Sequence, residues 1–198
     1  MRTHPHRDTA AVAVLVAAVA AFAAQASVPA ARAEDKKAET KKIEFGTLKG
    51  DAPAGWEALE AKPPFRIAQY KIAKAEGDAA DATLIVYYFG EGGGGGVDEN
   101  VKRWAGQFKQ PDGKDSKDVA KVDKHEHDGL KITTVDVSGT YLDKPFPQSP
   151  NVTEREKYRM LAAIVECEKG PYFLKLTGPE KTVEAAKAGW EGLLKSLK

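Results

Sequence analysis

A lone cysteine, Cys167, is the first constraint that these 198 residues impose. One thiol cannot close an internal disulfide, so the fold has to hold through packing. Neither charge dominates: 30 lysines and arginines oppose 29 aspartates and glutamates, a net charge of +1 with neutral histidines. Nucleic-acid binding needs a concentrated positive field to displace counterions from phosphates, and no basic block supplies one. A basic amphipathic helix suited to a membrane surface is also missing. The glycine run Gly92–Gly96 lacks the Lys-Ser/Thr ending of a P-loop and the spacing of a dinucleotide fingerprint. Glu91, Asp98 and Glu99 put negative charge where a bound anion would sit. The run therefore reads as a flexible strand-to-helix connector. No G-x-S-x-G nucleophile elbow occurs, since Ser138 stands in Asp136-Val137-Ser138-Gly139. Cys167 lies between Glu166 and Glu168, which oppose thiolate formation, and reads as a buried structural thiol.

Long hydrophobic runs are scarce too. Ala10–Ala24 spans 15 small apolar residues, short of the roughly 20 that a membrane-spanning helix needs. Arg2 and Arg7 precede it, and two small-x-small cleavage motifs follow, Ala24-Gln25-Ala26 and Ala31-Arg32-Ala33. That order is the pattern of a secretory signal peptide. Residues 1–33 are expected to be the signal, cut after Ala33 with Ala26 as the alternative. Residues 34–42 (EDKKAETKK) then form a flexible charged tether, and residues 43–198 a single domain. The expected location is periplasmic or secreted, the alternative being anchorage by an uncleaved N-terminal helix. Such a location removes enzyme classes that draw on cytoplasmic ATP or NAD, and no cofactor is expected. Asn151-Val152-Thr153 matches a glycosylation sequon, which a bacterial-type leader makes coincidental.

What is present reads as an α+β domain. Phe65–Ala73 and Ala82–Phe89 have strand composition, and the second is apolar on both faces like a covered central strand. Val97, Val101, Trp104, Ala105 and Phe108 fall on one helical stripe, with Asp98 as candidate N-cap. Asp128-Gly129 predicts a type I′ hairpin turn leading into Leu130–Tyr141. Asp143–Arg155 is a proline-rich surface loop, and Tyr158–Glu168 and Tyr172–Leu176 form a further hairpin. Pro179 opens a closing helix on which Val183, Ala186, Trp190, Leu193, Leu194 and Leu197 recur at helical spacing. An antiparallel sheet flanked by helices accommodates these pieces.

This order, ending in Trp190-x-x-Leu193-Leu194-x-Ser196-Leu197, resembles the PsbP-like α/β/α sandwich over residues 43–198. The segments FGEGGGGGVDENVKRWAGQF (89–108) and YFLKLTGPEKTV (172–183) resemble those of an uncharacterised exported bacterial group. The resemblance implies a binding or assembly module. It carries over no functional residue, because the loops differ throughout from those of the photosystem subunit.

Two constellations are candidate sites. Asn100, Arg103 and Gln107 align as i, i+3 and i+7 beside the apolar stripe and form a candidate ligand-binding flank. His125 and His127, at i and i+2 of a strand, share a face with Asp123 and are candidate metal ligands. In the predicted register they lie opposite Ile132 and Leu130, while Lys124, Glu126, Lys131 and Thr133 take the solvated face. The favoured function is an exported, non-catalytic binding or assembly module of the cell envelope. Its partner would be a protein or small polar ligand met by the 143–155 loop and the Asn100/Arg103/Gln107 flank. The alternative is a metal-dependent or other hydrolase centred on His125 and His127. Neither nucleic acid nor stable membrane insertion after signal cleavage is expected.

Overall fold

A computed structural model describes residues 39–146 and 148–198. The expected signal peptide and most of the expected tether lie outside these residues. The rest of the tether is a correction. Strand β1 (Thr40–Phe45) begins at Thr40 rather than Ile43 and pairs residue for residue with β2 (Leu48–Pro53). The charged Thr40–Lys42 stretch is drawn into this hairpin because β2 offers it a complete hydrogen-bonding partner. Ile43 and Phe45 alternate inward there.

The main sheet is wholly antiparallel. Its strands are β3 (Glu57–Leu59), β4 (Arg66–Ile72), β5 (Ala82–Tyr88), β6 (Phe108–Lys109), β7 (Lys121–His127), β8 (Leu130–Asp143), β9 (Thr153–Glu166) and β10 (Tyr172–Pro179). They lie in the order β3-β4-β5-β10-β9-β8-β6, with β7 also paired to β8. Three helices complete the chain: α1 (Val97–Ala105), the single turn α2 (Ser116–Val119) and α3 (Glu180–Ser196). Asp128 and Gly129 take φ of 49° and 78°, as a type I′ turn requires, and set the β7–β8 register. Pairing opens at His127 with Leu130 and passes through His125 with Ile132.

Because side chains alternate along strands, the sheet carries two cores. Leu84, Val86, Ile132, Ala163, Val165, Leu174 and Leu176 pack on one face against Val183, Trp190, Leu193 and Leu197 of the α3 side, with Phe45 and Leu48 of the first hairpin. The opposite face packs Val135, Met160, Ile164 and Phe173 against Trp104 and Phe108. Pro179 gives α3 no side-chain cap, so the orphan amide of Thr182 donates instead to Asp78, at 2.9 Å, and the Thr182 hydroxyl joins it at 2.6 Å. Arg159 holds the α3 face together by donating to both oxygens of Asp136 (2.8 and 2.7 Å) and to Glu184. These hydrogen bonds keep its guanidinium firmly charged.

Other expectations shift in detail. Helix α1 is capped by Gly96, not Asp98, with the Glu99 carboxylate accepting from the Gly96 amide at 3.3 Å. It stops at Ala105, and Phe108 leaves the helical stripe to pair with Tyr141 as strand β6. Thr133 is buried rather than solvated. The N-terminal end of α1 lies on its side of the sheet, where Lys124 meets Asp98 at 3.7 Å. The long loop is shorter than 143–155, since β8 runs to Asp143 and β9 starts at Thr153. Cys167 is half-buried, and burial raises its pKa.

The glycine run is a packed turn. Gly92, Gly94 and Gly95 all have positive φ, and a methyl group on Gly94 would overlap the Phe173 ring. Small size is required here by a close approach to the core, beyond any need for a pliable connector.

Candidate functional site

Helix α1 is only nine residues long and cannot cover its whole face of the sheet. Its Trp104 meets Phe173 edge-on at 6.3 Å. Beyond that contact the face over β4, β5 and the far half of β10 is left open. Period-two alternation then decides what lines it. Along β10, Tyr172, Leu174 and Leu176 enter the α3 core, while Phe173, Lys175 and Thr177 share the α1 face. Phe173 lies under α1, and Lys175 emerges two residues later on the floor of a cavity of about 780 Å³.

The end of α1 and the β8–β9 connection form the walls. Gly106 closes the helix, and the Gln107 carbonyl accepts from the Leu142 amide at 2.8 Å, which holds the wall at a set height over the sheet. Asp143, Lys144, Pro145 and Phe146 continue the rim. Gln107 Oε1 accepts a 2.8 Å hydrogen bond from Lys175 Nζ, a direct tie between helix end and sheet floor.

Cations and tyrosines interleave across the site. Arg66 lies 5.8 Å from the Tyr87 ring centre, Lys175 lies 5.9 Å from Tyr141, and Arg155 lies 5.9 Å from Tyr158. Tyr141 and Tyr158 are stacked at 6.2 Å. Each ring face offsets part of the cost of holding a cation away from water. Burial above all, with the positive charges of Arg103 and Arg66 and against the pull of Asp143, lowers Lys175 to about 8. Burial pushes Tyr141 up to about 12, so the phenol stays protonated at neutral pH. Asp143 accepts from Arg155 at 2.9 Å.

The sequence-derived candidates separate. Arg103 and Gln107 line the cavity, as do residues 143–146 and Arg155 of the loop region. Asn100 does not, which corrects its reading as part of a ligand-binding flank. Its side chain is completely buried and donates to the Gly94 and Gly96 carbonyls at 2.9 and 2.8 Å. The Gly96 carbonyl also accepts the Asn100 amide at 3.1 Å, so the backbone and side chain of one residue pin the curled glycine run to the start of α1. Its oxygen accepts from Arg103, so its link to the cavity is through the orientation of that guanidinium.

His125 and His127 sit on β7, an almost entirely exposed strand. His125 borders a separate cavity of about 330 Å³ together with Asp123, Asp136, Lys187 and Trp190. Among the described residues, no three histidine, cysteine, aspartate or glutamate side chains group as metal ligands. The double variant His125→Ala/His127→Ala is therefore expected to melt as the parent does with or without stoichiometric zinc. A saturable stabilisation by zinc, absent in the variant, would contradict this.

Residues missed from sequence are Lys175, Arg66 and Tyr141, while Arg155 belongs to the expected 143–155 loop. A signal for Lys175 exists, since a single charged residue interrupts the apolar run of YFLKL. What the run does not disclose is that β4 and β8 bring the other two groups to it.

Sheet and helices together define an α/β/α sandwich with a ligand-sized cavity on its α1 face. No family model matches the sequence, and no curated protein is similar to it. Among solved structures, the cyanobacterial PsbP (CyanoP) of Synechocystis is similar at TM-score 0.50 and 12% identity, over 81% of this chain and 92% of that one. A protein of unknown function, PA94 from Pseudomonas aeruginosa, matches at TM-score 0.45 and 8% identity, over 81% and 96%. The fold is PsbP-like, as the resemblance implied.

Proposed function

We propose that this chain is an exported, non-catalytic binding module of the cell envelope whose ligand occupies the cavity between α1 and the sheet. The observation that carries the reading is the meeting of Arg103 and Gln107 with the 143–146 rim around one concavity of about 780 Å³. That volume falls within the usual range for small-molecule sites, about 300–1,000 Å³. The floor belongs to a rigid antiparallel sheet, so recognition works by shape and hydrogen bonding on a preformed surface. The leader-like residues 1–33 supply the address. Among the described residues, no helix is long and apolar enough to cross a membrane.

Expression of the full chain in a bacterial host, with fractionation and N-terminal sequencing, tests the address. The expected product is periplasmic and begins at Glu34. Intact chain confined to the cytosol would refute the exported part of the reading.

A further inference from the structure

Five cations line the cavity, Arg66, Arg103, Lys144, Arg155 and Lys175, against two carboxylates, Asp81 and Asp143. Both carboxylates are already engaged. Asp143 accepts from Arg155 at 2.9 Å, and Asp81 accepts from the Lys74 amide at 2.9 Å. Among the described residues, Arg66, Arg103, Lys144 and Lys175 have no carboxylate within ion-pairing distance, while surface lysines elsewhere on the molecule do. Like charges gathered in a half-buried concavity repel one another and are partly desolvated, and a folded protein holds such a group at a cost. The cost falls when a counter-charge enters.

We propose that the cavity is an anion site, taking a small organic carboxylate or phosphate whose charged head meets Lys175 and Arg103 and whose flat body lies on the tyrosine rings. This rests on the binding-module reading above and names the ligand class for it. Lys175 stands at the centre of the charge field. Arg66 of β4, Tyr87 of β5, Arg103 and Gln107 at the end of α1, and Asp143 with Tyr141 of β8 surround it, with Arg155 and Tyr158 of β9 beyond. Burial is the main cause of its depressed proton affinity and the neighbouring Arg103 and Arg66 add to it, so an anion bound beside it would favour the charged form. On the β4 wall, Gln69 keeps its side-chain oxygen buried without a hydrogen-bond partner. A hydroxyl or amine on the ligand body would satisfy that atom.

Titration calorimetry on the mature domain at pH 7 and low salt, with five probes, tests the assignment. The probes are 4-hydroxybenzoate, phenyl phosphate, inorganic phosphate, neutral 4-hydroxybenzyl alcohol and cationic tyramine. The two organic anions are expected to bind tightest and to weaken as salt rises. Lys175→Met is expected to weaken them about 10- to 100-fold, the range for losing a hydrogen bond to a charged group, while Lys175→Arg retains most of the affinity. Thermal unfolding checks the fold of each variant. Lys175→Met removes a desolvated charge and should melt no lower than the parent.

The parent's penalty from this group is fully present below pH 8. It is relieved as the pH climbs from about 8 toward the ordinary lysine value of 10.5, because the unfolded chain then holds the extra proton. Any thermal advantage of Lys175→Met should shrink over the same interval. Organic anions that bind no better than the alcohol, or whose affinity survives Lys175→Met, would overturn the assignment. Tight binding of the alcohol or tyramine in the same cavity would also overturn it, yet would leave the binding-module reading standing.

Discussion

Trp190→Ala is expected to cost about 3–5 kcal/mol of folding stability, the range for emptying a large aromatic site in a core. Trp190 is 3% exposed on the inner face of α3, within the cluster that also holds Phe45, Leu48, Trp56 and Leu194. Its neighbours come from the first hairpin, the main sheet and the helix itself, so collapse around the void would require three separate elements to move. With no disulfide to restrain the unfolded chain, the loss passes fully into the equilibrium. For a domain of this size, a melting temperature lower by about 10 °C or more follows. Trp190→Phe keeps an aromatic ring in place and should lose less than half as much. Denaturant titration of the three proteins measures this, and a loss below about 1 kcal/mol for the alanine variant would mean that α3 is not anchored as described.

The second large effect comes from the glycine run. Gly94→Ala forces an L side chain into φ of 86° and drives its methyl into the Phe173 ring. The backbone strain costs about 1–2 kcal/mol and the overlap about 1–3 kcal/mol, together about 3 kcal/mol. Gly92→Ala is the internal control. It has a comparable φ of 68°, yet nothing lies within 4 Å of its added methyl, so only the backbone share, about 1 kcal/mol, applies. Equal losses in the two variants would show that the run is a slack connector after all. A Gly94→Ala loss roughly three times that of Gly92→Ala is the outcome expected from a packed turn.

Much of the architecture was legible because local periodicity carried it. The I′ turn at Asp128-Gly129 gave the β7–β8 register, including the placement of His125 opposite Ile132. The apolar spacing from Val183 to Leu197 gave α3. Where local pattern failed, a longer-range partner had intervened. Helical spacing placed Phe108 on the α1 stripe, but Tyr141, thirty-three residues away, offered strand pairing that ended the helix early. Asn100 fits a polar flank by spacing alone. Its burial follows from its side-chain hydrogen bonds to the Gly94 and Gly96 carbonyls of the curled glycine run, which no helical wheel displays. Thr40–Lys42 reads by charge as part of a flexible tether, and hairpin pairing outweighs that composition.

The cavity was the least legible part. Arg103 and Gln107 were within reach of a periodicity argument, although Gln107 arrives through the turn after α1 rather than on the helix. Lys175 and Arg66 were not. They are over a hundred residues apart in sequence, and only the strand order β4-β5-β10 makes them neighbours.

That strand order also bears on when the molecule can close. β10 is the last strand of the chain, yet it lies in the middle of the sheet, joined to β5 on one side and β9 on the other. Until residues 172–179 are available, β3 to β5 and β6 to β9 are two half-sheets with no shared edge. The final helix, which seals one of the cores, comes later still. Closure of the whole sheet thus waits on the pairing of residues 172–179 with both of its halves, a long-range step that local contacts cannot replace.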